Sequence, residues 1–201
     1  MTSVTELFEV AQVAPSGVVR WGDRVLETRP GVYVVSTSAE ADETVGLDAC
    51  PLDPTMVRNL LRARPEATVH GESATSERLS KRLRQTWPAR EPVVYIGLAG
   101  TSVAKRVQQF YATKLGARAP HAGGWPVKML RAEHLWVHFG VTDDVGSAES
   151  AMIARFTKNL PIDVREGLID PHNPLPFANL TVPRGRRKVH GLAGFKAERS
   201  R

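Results

Sequence analysis

The sequence predicts an α+β fold, a small antiparallel, mixed-order sheet of about three strands flanked by helices. Three observations lead there. Short β-branched and aromatic runs recur at 31–36, 93–97 and 135–139. Segments with apolar residues at three- and four-residue spacing lie between and after them, the mark of helices with one buried face. Finally, the two kinds of segment do not alternate regularly. Two helices fall between the first and second strands, which suits helices packed on a small sheet better than a repeated crossover unit.

Residues 1–30 read as an irregular lead-in, with a small hairpin around Val18 to Leu26 turning at Trp21-Gly22-Asp23. Gly31 to Ser36 follows as the first strand, bounded by Pro30 and a Ser/Thr cluster. Asp53-Pro54 starts a helix, an acceptor cap with proline in the first turn, and Met56, Val57, Leu60 and Leu61 give it one apolar face. After a short extended piece at 67–71, Thr75 caps a second helix, in which Leu79, Leu83 and Trp87 stack at four-residue spacing. These elements form a helical unit over about 53–87, inserted between the first two strands. Its Arg58, Arg62, Arg78, Lys81, Arg82 and Arg84 read as a solvated charged face, with contact to nucleic acid as the alternative.

Val93 to Gly97 is a near-continuous apolar strand. Thr101 or Ser102 caps a helix to about Leu115, with Val103, Val107, Phe110 and Tyr111 on its buried stripe. Gly and Pro make 116–126 a loop. In the third strand, Trp136 and His138 share one face while Leu135, Val137 and Phe139 share the other. A last helix begins at Gly146-Ser147 and runs to about Lys158, and the proline-rich 161–183 is mostly irregular.

Composition sets broad limits. Hydrophobic residues make up 42% and charged residues 24% of the 201-residue chain, ordinary for a globular protein. No apolar run approaches the ~20 residues of a membrane span, and Met1 to Val10, with Glu6 and Glu9, shows no secretory signal pattern. A single cysteine, Cys50, leaves no internal disulfide and no multi-cysteine zinc site. A cytoplasmic location is the expectation. The net charge of +6 is local: 183–201 holds seven Lys or Arg against Glu198, leaving 20 basic and 20 acidic residues before it. A polyanion-binding arm and a solvated terminus fit this tail equally. Arg184, Arg186, Arg187 and Lys188 are its candidate nucleic-acid contacts.

The candidates for chemistry are few. Glu149 falls inside the apolar arc of Ala148, Met152, Ile153 and Phe156. An ionised carboxylate there calls for a cation or a metal, unless it bends out to water from the first helical turn. Arg106 edges its helix stripe and can send its head into a neighbouring cleft, where its rigid donor fork matches phosphate oxygens; a surface salt bridge is the more frequent alternative for such an arginine. Tyr33 and Tyr95 sit on strands, where tyrosine is at home as a core residue. Beside Gly31 and Gly97 they also suit a place where a ligand comes close to the backbone. His121, in a Gly-rich stretch, could close over a substrate and contact nucleic acid, whereas His138 reads as structural. No helical zinc pair, phosphate loop or serine elbow is present.

Taken in order, these residues resemble the GIY-YIG nuclease superfamily. Gly31-Val32-Tyr33 matches its first signature with the middle residue changed, and Tyr95-Ile96-Gly97 matches its second unchanged. Arg106, in Val103-Ala104-Lys105-Arg106, matches the arginine of the following helix. Glu149 matches the metal-binding glutamate that opens a later helix. Asn179, in Pro176-Phe177-Ala178-Asn179-Leu180, matches the final asparagine, with Asn159 and Asn173 as alternatives. The chain departs from the pattern in the helical unit between the signatures, in the long 161–174 stretch before Asn179, in Phe110 where members carry His or Tyr, and in Leu98 where many carry Lys.

The resemblance spans about 30–182 and implies a catalytic domain at 31–182 followed by the basic tail. The implied activity is endonucleolytic hydrolysis of nucleic-acid phosphodiesters, with DNA as the expected partner, using one Mg²⁺ or Mn²⁺ held by Glu149. Tyr33 would act as or assist the base, Tyr95 would bond the phosphate or the nucleophile, Arg106 would neutralise charge, and Asn179 would fix geometry. The alternative is a nucleic-acid-binding module that keeps the scaffold without turnover. No heptad or symmetry signal fixes an oligomeric state.

Overall fold

Four antiparallel strands form the central sheet of the computed structural model, which describes residues 1–121, 123–181 and 187–196. They are β1 (Pro15–Arg20), β2 (Gly31–Ser36), β5 (Val93–Ala99) and β6 (Trp136–Val141), in the order β1-β6-β2-β5. Two-residue strands β3 (Thr68–Val69), β4 (Glu72–Ser73) and β7 (Leu192–Ala193) make a second, small sheet in the order β4-β3-β7. The helices are α1 (Val4–Val10), α2 (Pro54–Ala63), α3 (Ser76–Arg84), α4 (Val103–Ala112), α5 (Val145–Asn159) and α6 (Ile162–Glu166). The α+β class therefore holds, with one more strand in the main sheet than expected.

The two-residue period of the strands divides the interior into two layers. Tyr33, Val35, Tyr95, Ala99, Val137 and Phe139 face one side. There they meet Val57 and Leu60 of α2, Leu79 and Leu83 of α3, and Val103, Val107 and Phe110 of α4. Val32, Val34, Val93 and Ile96 face the other side, against Leu7 and Phe8 of α1 and Met152, Ile153 and Phe156 of α5. Every residue of β2 is buried, because it is hydrogen-bonded on both edges and covered on both faces. Pairing sets Tyr33 opposite Gly97 and Val35 opposite Tyr95, so the two signature strands are direct neighbours.

The inserted unit forms as expected, with Asp53 capping α2 and Thr75 capping α3 through their side chains. Leu79, Leu83 and Trp87 are buried, and Trp87 meets Phe177 edge-on at 5.2 Å. Arg82 departs from the expected solvated face. It is buried and donates to Gln85 Oε1 at 3.2 Å, while Arg58, Arg62, Arg78, Lys81 and Arg84 are exposed.

The lead-in is ordered, against expectation. Ser3 and Glu6 form a reciprocal capping box that starts α1. A turn does occur at 21–23, where Gly22 takes φ 100°, but no hairpin forms. The strand before it, β1, pairs instead with the distant β6. The C-terminal region is likewise built into the fold at 187–196. Lys188 is buried, β7 pairs with β3, Arg64 Nε donates to the Gly194 carbonyl at 2.9 Å, and Phe195 stacks on Trp125 at 5.1 Å. No helix among the described residues is long and apolar enough to cross a membrane.

Candidate active site

Gly97 explains how two tyrosines share one spot. A Cβ on Gly97 would stand 2.6 Å from Tyr95 Cε1 and 2.8 Å from Tyr33 Oη. With hydrogen there, the rings close over the backbone, their centroids 5.9 Å apart and their planes tilted by 40°. Gly31 serves β6 rather than a ligand, since a Cβ there would strike the Gly140 carbonyl oxygen at 2.1 Å.

A cleft of about 340 Å³ opens beside this pair, where the two helical layers meet along β5. Tyr95 lines it from one layer and Glu149 of α5 from the other; Gly123, Gly124, Trp125, Asn179 and Lys196 complete its main walls. Asp144 caps α5 by accepting from the Ser147 N–H, and the buried Ala148, Met152, Ile153 and Phe156 fix the helix's rotation. Glu149 consequently emerges half-buried at the rim. Burial pushes its carboxyl up to about 7, with the Arg106 charge partly countering.

Asn179 is where the sequence expects it and spends both polar atoms on the backbone. Its Oδ1 accepts from Ile96 N–H at 2.9 Å and its Nδ2 donates to the Ile96 carbonyl at 2.8 Å. The Ala178 N–H adds a bond to the Val94 carbonyl at 3.0 Å. Residues 178 and 179 thus close the outer edge of β5 on either side of Tyr95. Asn159 bonds Glu6 and Asn173 bonds Asp170; neither lines the cleft.

Arg106 does not line the cleft; it is half-buried on α4 and lines a second hollow together with 98–102. Its Nη1 donates to the Pro120 carbonyl at 3.4 Å, and its charge acts on Glu149, both tyrosines and His121. The tyrosines divide by depth. Tyr95 reaches the cleft at 9% exposure, while Tyr33 is sealed behind it at 1%. Burial raises both phenols, Tyr95 to about 12 and Tyr33 well above its ordinary value.

His121 departs from the surface role expected of its loop. It is buried against Phe110, the rings parallel within 3° and 4.1 Å apart, with Nε2 2.9 Å from the Tyr33 hydroxyl. Burial first, then the Arg106 charge, lowers its imidazole to about 4. The aromatic Phe110 provides the stacking face; from the sequence it read as a core residue and as a departure from the His or Tyr of the family it resembles. His138 is structural as expected, its Nε2 donating to the Ser38 carbonyl at 2.9 Å.

Lys188 does not serve a polyanion-binding arm. Its Nζ donates to the carbonyls of Leu175, Pro176 and Phe177 at 3.3, 2.9 and 3.2 Å, and burial lowers it to about 7. It therefore anchors the segment that leads to Asn179. Arg187 is exposed and bridges Thr181, while Arg184 and Arg186 lie outside the described residues. Gly123, Gly124 and Trp125 belong to the stretch expected to close over a substrate and do line the cleft, whereas sequence reasoning missed Lys196, because nothing local marks a C-terminal segment that returns to the site.

The donor set restricts what a metal could find. Among the described residues there is no cluster of three or more His, Cys, Asp or Glu, which leaves no all-protein cage. A lone half-buried carboxylate does suit Mg²⁺ or Mn²⁺, hard ions that keep several waters and need one or two carboxylates. Comparison with protein-family models, curated proteins and solved structures finds no match to this chain.

Proposed function

We propose that this protein is a metal-dependent endonuclease of GIY-YIG type that hydrolyses phosphodiester bonds in DNA. The convergence of Tyr95, Glu149 and Asn179 on one cleft, with Arg106 acting on it from α4, carries the reading. These residues come from four separate chain segments, and packing alone does not ask for a half-buried acid at that rim.

Glu149 would hold the Mg²⁺ or Mn²⁺ ion. When bound, such an ion stabilises charge on the phosphate and on the leaving oxygen. The protein's own groups act around it. Arg106 offers its donors to the non-bridging oxygens as charge develops there. Tyr95 bonds the phosphate or the attacking water from the cleft wall, with Tyr33 behind it as support for the base. Asn179 and Lys188 keep β5 and its neighbouring segment in register, so Tyr95 stays in place. Lys196 at the cleft edge supplies positive charge toward the strand.

One observation favours the alternative of a binding module without turnover: Tyr33 is sealed from the cleft. Nicking of supercoiled plasmid separates the two readings. The wild-type protein with Mg²⁺ or Mn²⁺ should convert it to open circles, and Glu149→Ala should slow this by ~100-fold or more. Equal nicking by both proteins would sink the proposal, and salt-dependent DNA retention without nicking would point to the binding module.

A further inference from the structure

Beyond Tyr95, β5 runs on to a second hollow of about 290 Å³, lined by 98–102, Lys105, Arg106 and Gln109. Cleft and hollow share no lining residue. Leu98 nevertheless follows Tyr95 closely on the same strand, ~10 Å along it. A second link starts from α4. Arg106 Nη1 donates to the Pro120 carbonyl at 3.4 Å, and Gly123, Gly124 and Trp125, just after Pro120 in the chain, wall the cleft. The hollow suits an anion. Among the described residues, Lys105 and Arg106 line it, no carboxylate does, and neither cation is in an ion pair. Glu27 comes close, its carbonyl accepting from the Ala104 N–H at 2.7 Å. Its carboxylate, however, is spent on Arg29 Nε and Nη2 at 3.0 and 2.8 Å. The first amides of α4 are also occupied: Val103 and Ala104 donate to the Arg29 and Glu27 carbonyls, and Lys105 to Ser102 Oγ. Attraction therefore comes from the side chains, to which Thr101 adds a hydroxyl and Gln109 an amide. A Cβ on Gly100 would meet nothing within 4 Å, so the mouth is open.

We propose that this hollow holds a second backbone phosphate of the bound strand, with Lys105 and Gln109 as its contacts. The inference rests on the hydrolytic reading above and extends it. The cleft takes the phosphate that is cut, and the hollow takes one displaced along the same strand. A B-form strand advances ~3.4 Å per nucleotide. The ~10 Å from Tyr95 to Leu98 thus sets the second phosphate about three nucleotides from the cut. Lys105 supplies a mobile point charge and Gln109 a neutral donor, while Arg106 holds its rigid fork on the side toward Pro120 and the cleft. Neither Lys105 nor Gln109 touches the reacting atoms. Their contribution is to binding, since each neutralised phosphate releases counterions and adds affinity. The preferred substrate is accordingly a polynucleotide long enough to fill both hollows, and not an isolated phosphodiester.

Filter binding to a DNA duplex without divalent metal tests the hollow directly. Lys105→Ala should lower the slope of log K against log salt by ~0.9 and weaken binding about tenfold at low salt. Gln109→Glu, which sets a carboxylate in the hollow at nearly the same size, should also weaken binding about tenfold. Lys158→Ala removes an exposed lysine from the far end of α5 and should leave the slope as it is. No change for either hollow variant, or equal slope changes for Lys105→Ala and Lys158→Ala, overturns the proposal. Plasmid nicking then separates binding from chemistry, with melting temperatures as the control for folding. Both hollow variants should raise KM about tenfold with kcat held. A loss confined to kcat puts these residues in the reaction site and overturns the separate subsite. No cleavage by the wild type overturns the hydrolytic reading, and the salt slopes still decide whether the hollow holds a phosphate.

Discussion

Among the described residues, no lysine or arginine lies within ion-pair distance of Glu149, although its carboxyl is half-buried. Its folded value of about 7 lies above the ordinary 4.5. Between those limits the folded protein holds a proton that the unfolded chain has released, so this group's contribution to stability falls as pH rises through the window. Glu149→Gln should therefore raise the melting temperature at pH 8 without divalent metal, by about 2–4 °C if the gain is ~1 kcal/mol, and leave it unchanged at pH 4. Millimolar Mn²⁺ should narrow the pH 8 difference by stabilising the wild type alone. Lys188 makes the opposite case, a charged residue spent on structure. Lys188→Met strips three buried carbonyls of their donor and should cost about 1–3 kcal/mol in urea unfolding. DNA affinity measured by filter binding should stay unchanged.

At the scale of elements, the glycine in β5 determines whether the sheet can hold both phenols. Gly97→Ala places a methyl against Tyr95 Cε1 and Tyr33 Oη. The variant should lose about 1–3 kcal/mol and lose nuclease rate beyond what its stability explains, read by calorimetry alongside plasmid nicking. Helices α2, α3 and α4 were legible because each combines a strong period with a strong cap: Asp53 on α2, Thr75 on α3, Ser102 on α4. The Ser3-x-x-Glu6 box that starts α1 is as explicit, yet the segment it opens was too short to stand out as a helix. β1 was read as half of a hairpin because its turn is real, while its partner lies more than a hundred residues away and leaves no mark nearby. The helical wheel set Glu149 within the apolar arc but left open whether it bends out to water, and the half-buried rim position falls between the two. The inward position of His121 was not legible, because it depends on Phe110 and Thr113 meeting a loop with no period of its own.

Across the whole molecule, the site depends on a chain end that returns to it. The basic composition of 183–201 describes a surface property, whereas Lys188 and Phe195 within it are interior residues. Charge counting cannot separate the two, because burial of a lysine depends on where distant carbonyls happen to converge. Phe195→Ala should cost about 3–5 kcal/mol and loosen Trp125 on the cleft wall, visible as a red shift and quenching change in tryptophan fluorescence. The return of this strand also imposes an order of assembly. Synthesis runs from the first residue onward, so Tyr33, Tyr95, Arg106 and Glu149 all emerge from the ribosome before the lysine that steadies the Asn179 segment and the ring that props Trp125. The cleft is therefore incomplete until residues 187–196 have docked.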